Sequence, residues 1–213
     1  TLPESPRSIV WSPDGKHIAF TRFVPSPPPK LADMPAKPKG AKWAEPATVV
    51  DRMTFRFDGG GYLPTGNQQV FVVPADGGTP RQMTSGDYPI SGSVSWMPDS
   101  QSIIFSSNRR EDVEYHPRQN DLYAASLVTG ELTQMTDHAG PESDPAVSPN
   151  GRYLAYTSAA DTRQGYNRSD LRIMDLTSGE SRSLTADLDR SVSDIQWSAN
   201  SKDVWIRYND LGV

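Results

Sequence analysis

Four stretches of this chain repeat one pattern, and that repetition limits the fold more than composition does. WSPDGKHIAFTR begins at Trp11, WMPDSQSIIFSSNR at Trp96, VSPNGRYLAYTS at Val147 and WSANSKDVWIRY at Trp197. Each sets an apolar residue before a turn and follows the turn with a short alternating apolar strand. The steps from Trp96 to Val147 and from Val147 to Trp197 are each about one propeller blade long, a blade spanning roughly 40 to 50 residues. The step from Trp11 to Trp96 is longer and holds an insertion.

The copy from Ser93 to Thr136 gives the unit in full. SVSW is a first strand, Pro98-Asp99-Ser100 a turn and SIIFSS the returning strand. After a polar loop, DLYAASL at 121–127 is a third strand, Thr129-Gly130-Glu131 turns the chain, and LTQMT at 132–136 is a fourth. The third copy repeats this with DLRIMDL at 170–176 and SRSLT at 181–185, and the first with QVFVVPA at 69–75 and PRQMT at 80–84. Proline fixes its own φ, and Asp or Asn before Gly supplies the positive φ of a tight hairpin. Asp14-Gly15 and Asn150-Gly151 keep that glycine. Ser100 and Ser201 replace it, which predicts a different or mildly strained turn there.

Four short strands per unit, tight turns and no helical periodicity define an all-β fold, a partial β-propeller of four-stranded antiparallel blades. The units are a blade over 8–90 with a Pro-rich insertion at 24–48, blades over 91–141 and 142–191, and the start of another over 192–213. A ring needs about 4 to 8 blades, and an open stack leaves bare strand edges. The sequence therefore reads as a segment of a larger propeller, with exposed blade edges through which copies could join into an oligomer. On the same reading Trp11, Trp96 and Trp197 occupy one blade position and belong to the core, with Val147 in that place in the third copy.

Composition closes several function classes. No run approaches the roughly 20 apolar residues of a spanning helix, so no membrane part is expected. The net charge of -5 argues against nucleic acid, whose phosphates demand clustered Lys and Arg. Zero Cys removes disulfides and thiolate chemistry, and the three histidines, His17, His116 and His138, form no HExxH spacing. No cofactor or metal is expected: Asp14, Asp99, Asn150 and Asn200 are turn residues, each without a second carboxylate at calcium-loop spacing. Asn167-Arg168-Ser169 matches a glycosylation sequon, a signal only in a secretory setting. The N-terminus TLPESPRS lacks a signal-peptide pattern and reads as a cut inside a longer chain.

The insertion FVPSPPPKLADMPAKPKGAKWAEPATV is too rich in proline for a central strand. It is either a solvated loop or a segment that packs outside the sheet, with Trp43 the residue favouring the latter. The following VVDRMTFRFDGGGYLPTGNQ reads as a long hairpin with a glycine tip. The densest charge cluster, Asn108-Arg109-Arg110-Glu111-Asp112, lies between the second and third strands of its blade. Arg109 or Arg110 could hold a carboxylate bidentately, either a substrate terminus or a structural Asp, and Glu111, Glu114 or Tyr115 could meet a peptide amino group. The plain alternative is a solvated turn whose ion pairs are each worth about 0 to 1 kcal/mol.

The repeats resemble those of TolB-like proteins and of the prolyl oligopeptidase family of serine peptidases. Outside the repeat the likeness narrows to acylaminoacyl-peptidase-like members: Arg52, Phe55, Asp58, Gly59, Gly61 and Tyr62 match an RxxYxxDGxGY-like segment, followed by Arg81 to Thr84 and then Ser107, Asn108 and Arg109. MPDS and SANS depart from the usual SPDG of the turns. The resemblance implies a propeller joined to an α/β-hydrolase domain of the same polypeptide, gating peptide substrate toward a Ser-Asp-His triad. It also implies export to the periplasm or beyond, with a cytoplasmic location the alternative. This segment carries no GxSxG and is expected to have no peptidase activity alone. The competing reading is a TolB-like propeller acting as a protein-binding scaffold.

Overall fold

Short alternating runs broken by Asp, Asn, Gly and Ser become strands in the computed structural model, which describes residues 4–27, 32–33, 35–44, 47–162 and 164–210. The first unit comprises β1 (Arg7–Trp11), β2 (His17–Pro25), β3 (Arg56–Phe57), β4 (Gly61–Tyr62), β5 (Gly66–Pro74) and β6 (Arg81–Gln82). The second has β7 (Ile90–Trp96), β8 (Ser102–Ser107), β9 (Asp121–Ser126) and β10 (Leu132–Gln134). The third has β11 (Glu142–Val147), β12 (Tyr153–Ser158), β13 (Asp170–Asp175) and β14 (Ser181–Ser183), and β15 (Val192–Trp197) pairs with β16 (Val204–Tyr208). The three four-stranded antiparallel sheets run β1-β2-β5-β6, β7-β8-β9-β10 and β11-β12-β13-β14. Among the described residues there is no helix. This is a partial β-propeller: three complete blades and the first hairpin of a fourth.

The first strands of neighbouring blades pack side by side. Each carries a bulge at one position, where Ser8, Gly92, Asp144 and Asp194 all have positive φ. The extra residue bends the strand and raises its twist. Antiparallel order then fixes two faces. The turns after the first and third strands lie on one face. The loops after the second strand, the crossings between blades, and the point where the chain enters β1 lie on the other.

The repeated residues have direct physical roles. In the first turn the Ser12 hydroxyl donates to Asp14 Oδ1 at 2.6 Å and accepts the His17 N–H at 2.9 Å, while Lys16 N–H donates to Asp14 Oδ1 at 3.0 Å. Ser148 with Asn150 and Ser198 with Asn200 rebuild the same network. Met97 replaces the serine in the second copy, leaving only the Gln101 N–H bond to Asp99 Oδ1 at 2.9 Å. The threonine ending each blade is equally specific. Thr84, Thr136 and Thr185 accept the N–H of Val70, Leu122 and Leu171 at 2.9, 2.8 and 2.8 Å, just past the end of the fourth strand. The side chain thus replaces a ladder bond that backbone would otherwise have to supply.

Ser100 and Ser201 do not change the turn type. Both take φ of 60°, close to Gly15 at 70° and Gly151 at 73°. A left-handed serine costs about 1 kcal/mol, and each hydroxyl offsets this by accepting a bond from the neighbouring blade. Asp14 N–H donates to Ser100 Oγ at 3.1 Å and Asn150 N–H to Ser201 Oγ at 3.0 Å.

The core lies between blades. Ile103 and Phe105 face the first blade with Ala19, Val70 and Val72, whereas Ile104 faces the third with Leu154 and Tyr156. The period of two along β8 buries both faces of that strand. Trp96 joins this core at 6% exposure, its indole N–H donating to the Val10 carbonyl at 3.3 Å. Trp197 is half-buried and donates to the Ala146 carbonyl at 2.8 Å. Trp11 departs from the expectation and is 60% exposed. In the other two copies the indole reaches back to the preceding blade, and among the described residues nothing occupies that place for Trp11.

Candidate functional site

The face that carries the blade crossings also gathers the insertion and the charge cluster. Residues 28–31, 34, 45 and 46 of the Pro-rich stretch lie outside the described residues, and Trp43 is exposed. The segment that follows is fixed at the crossing into the second blade and to that blade's loop. Arg52 Nη2 donates to Asp87 Oδ2 at 2.6 Å, and Asn67 Nδ2 donates to Asp87 Oδ1 at 2.6 Å. These bonds, the one from Arg52 foremost, hold the Asp87 carboxyl below its ordinary pKa. Met53 N–H donates to Glu114 Oε2 at 2.8 Å. From this base β3 and β4 project as a short hairpin with the Phe55 and Tyr62 rings 6.1 Å apart. Asp58-Gly59-Gly60 forms its tip, and Gly59 and Gly61 take the positive φ that the turn requires.

The loop 108–120 is rigid at its root. Buried Asn108 donates from Nδ2 to the His116 carbonyl at 2.7 Å and accepts the Arg110 N–H at 3.3 Å. Arg110 Nε donates to Asp112 Oδ1 at 2.9 Å, with Nη2 near the second oxygen at 3.5 Å. The Arg110 hydrogen bond is the main cause holding Asp112 below the usual carboxylate range. Arg109 turns inward. Its guanidinium sits 4.2 Å from the Tyr88 ring centroid and 5.7 Å from that of Tyr123, and its buried Nη1 has no hydrogen-bond partner among the described residues. Glu111 is exposed and Tyr115 is 75% exposed. The loop thus brings the five sequence-selected residues into one place but in different environments, Arg109 between rings, Glu114 holding the Met53 N–H, and Arg110, Glu111 and Tyr115 at the surface.

Sequence reasoning missed the buried acid beside this loop. Glu142 opens β11 at 1% exposure. Its N–H donates to the Asn120 carbonyl at 2.9 Å, and its own carbonyl accepts the Ser106 hydroxyl at 2.6 Å. Burial pushes its carboxyl up to about 7, against a hydrogen bond from Thr136, and Oε2 has no partner among the described residues. Asp121 is raised by burial as well. No local signal marks Glu142, because the second blade is what buries it. Among the described residues no group of three His, Cys, Asp or Glu is placed to hold a metal.

The profile of the family described as Dipeptidyl peptidase IV (DPP IV) N-terminal region matches residues 41–163, more than half of the chain. Dipeptidyl-peptidase 5 of Porphyromonas gingivalis is 31% identical over 116 residues, covering 52% of this chain and 16% of that protein. The Pyrococcus horikoshii acylaminoacyl peptidase has a similar fold, with a TM-score of 0.60 at 15% identity over 90% of this chain and 27% of that one. TolB from Acinetobacter baumannii does too, with a TM-score of 0.54 at 19% identity over 95% of this chain and 37% of that one. The chain therefore spans a minor part of each of these three proteins.

Proposed function

Because the chain belongs to the dipeptidyl peptidase IV N-terminal region family, we propose that it is the non-catalytic propeller segment of a prolyl-oligopeptidase-family serine peptidase. In this reading it docks a separate α/β-hydrolase domain of the same polypeptide and gates peptide access to it. The observation that carries the reading is the family match, which spans the hairpin, the second blade and its charged loop together. The fixed loops of the crossing face support it, since a gate must hold its shape while substrate passes.

Within this reading Arg109 remains the cationic candidate. Its unpartnered Nη1 donor is buried against Tyr88 and Tyr123, so a peptide carboxylate or carbonyl reaches it only when the guanidinium leaves those rings, whereas Arg110 already holds Asp112. Glu111 and Tyr115 stand exposed on the same loop and complete the proposed contact. Replacing Arg109 by Ala in the full-length protein is expected to raise KM with kcat little changed. An unchanged KM with a lowered Tm would assign the residue to the fold.

The test of the whole reading is fluorophosphonate labelling of the full native polypeptide, because the reagent reports an activated serine directly. Labelling is the expected result. A folded parent that does not label would overturn the peptidase reading and favour the TolB-like binding scaffold, to which the fold of the Acinetobacter baumannii protein is similar.

A further inference from the structure

Four pairs of Asp or Asn with a following glycine occur in the chain, Asp14-Gly15, Asp58-Gly59, Asp76-Gly77 and Asn150-Gly151. All four sit in tight turns, but not in the same register. In three of them the glycine closes the turn. Gly15 N–H donates to the Ser12 carbonyl at 2.9 Å, Gly77 N–H to that of Pro74 at 3.1 Å, and Gly151 N–H to that of Ser148 at 2.8 Å. At the tip of the β3–β4 hairpin the pair is shifted by one residue. There Gly60 N–H closes the turn on the Phe57 carbonyl at 3.1 Å, so Asp58 and Gly59 are the two central residues. The closing bond of a β-turn uses the fourth residue's N–H and leaves the third's free. Gly59 N–H accordingly has no partner among the described residues.

The side chains differ in the same direction. Asp14 Oδ1 accepts from the Ser12 hydroxyl and Lys16 N–H, and Asn150 Oδ1 from the Ser148 hydroxyl and Arg152 N–H. Asp58 is exposed, and among the described residues its carboxyl has neither a hydrogen bond nor an ion pair. Its chain neighbours apart, nothing lies within 4 Å of where a Cβ on Gly59 would stand. An unheld carboxyl and an unheld backbone nitrogen are thus adjacent in open space, with no side chain on the glycine to crowd their approach.

We propose that Asp58-Gly59 is a site of spontaneous backbone modification, at which the aspartate converts to isoaspartate through a succinimide. The Gly59 nitrogen attacks Asp58 Cγ. A C–N bond forms, the bond from Cγ to the carboxyl hydroxyl breaks, and that hydroxyl leaves as water with the amide proton. One water then opens the five-membered ring. Attack at the side-chain carbonyl restores aspartate, whereas attack at the main-chain carbonyl leaves isoaspartate, with one extra carbon in the backbone. The composition of the chain is unchanged and no oxidant or cofactor is used. Arg52 to Asp87 and Leu63 N–H to the Phe55 carbonyl hold the hairpin below its tip, so the tip absorbs the extra carbon and the blades keep their packing. The inference does not depend on the peptidase reading.

The experiment ages the folded full-length parent for several weeks in water enriched in heavy oxygen, then maps its peptides by electron-transfer fragmentation. Isoaspartate carrying one heavy oxygen is expected at position 58, forming about fivefold to tenfold faster than at 14 or 76, where a turn hydrogen bond must open first. The comparison is kept to the three aspartates because they share one intrinsic chemistry, whereas Asn150 would lose ammonia. In urea the three rates should converge. Asp58→Glu, which keeps the charge but cannot form the five-membered ring, should abolish the product at 58 and leave the other two sites unchanged. Equal rates at 58, 14 and 76 in the folded parent would overturn the inference. A preference for 58 that persists in urea would assign it to local sequence and equally overturn it, as would isoaspartate formed without heavy oxygen.

Discussion

The junction between the first and second blades and the one between the third and fourth are built from matching parts, yet they close differently. Each has a turn N–H bonded to a left-handed serine, Asp14 to Ser100 and Asn150 to Ser201. Each has an indole bonded to the preceding blade, Trp96 to Val10 and Trp197 to Ala146. A ring also lies beside each indole, His17 tilted at 6.4 Å and Tyr153 stacked at 6.3 Å. The first junction leaves a cleft of 410 Å³, covered in part by Leu127 and Val128. The second leaves 1130 Å³, lined by Tyr153, Ile173, Leu184 and Trp197. Inner strands and turns therefore set how blades register, and outer strands exclude water from between them.

The largest effect that can break this comparison is at the tryptophans. Trp96→Ala should cost about 3 to 5 kcal/mol in denaturant unfolding, the range for deleting a buried aromatic. Trp197→Ala should cost less, because its ring is only partly buried. Equal losses would mean that the outer strands add nothing to burial at the first junction.

The middle junction sharpens the contrast through charge. Glu142 has its carboxyl raised from 4.5 to about 7, chiefly by burial. The folded chain thus binds this proton more tightly than the unfolded chain does. Its contribution is fully present below about pH 4.5 and is lost as pH rises through about 7. Glu142→Gln should flatten this slope and stabilise the chain by about 2 to 3 kcal/mol at pH 8, with little change at pH 4. Urea unfolding at the two pH values reads the difference, and an equal effect at both would show that the carboxylate is solvated.

The smallest effects lie in the turns. Ser100→Ala keeps the strained backbone and loses the bond from Asp14, at a cost of about 1 kcal/mol. Ser100→Gly loses the same bond but relieves the strain, so it should stay within about 0.5 kcal/mol of the parent sequence. The Ser201 pair should behave alike. A Gly variant as unstable as the Ala variant would show that the hydroxyl bond, not the backbone, dominates.

Much of the fold was legible because its signals are local. The turn grammar and the blade-closing threonines are fixed by bonds within one unit, so four strands per blade could be read directly. Trp11 was misread because the burial of that indole is supplied by the preceding blade, which no spacing within the chain reports. For Ser100 and Ser201 the sequence offers a different or a mildly strained turn, and it could not choose the strained one that occurs, because the hydroxyl's partner, Asp14 or Asn150, lies in the preceding repeat. The charged loop was visible as a cluster, but the inward turn of Arg109 depends on Tyr88 and Tyr123. Glu142 was invisible because its sequence neighbours, Pro141 and Ser143, mark an ordinary polar strand start.

The left-handed positions alternate along the chain, Gly15, Ser100, Gly151 and Ser201. A glycine-type turn donates to the serine-type turn that follows, while at the middle junction a Cβ on Gly151 would come within 3.5 Å of Pro98. Seams of this stack therefore alternate between a hydroxyl bond and plain van der Waals contact. A graft or deletion of one blade would set two serine turns or two glycine turns together, whereas moving a pair keeps the alternation.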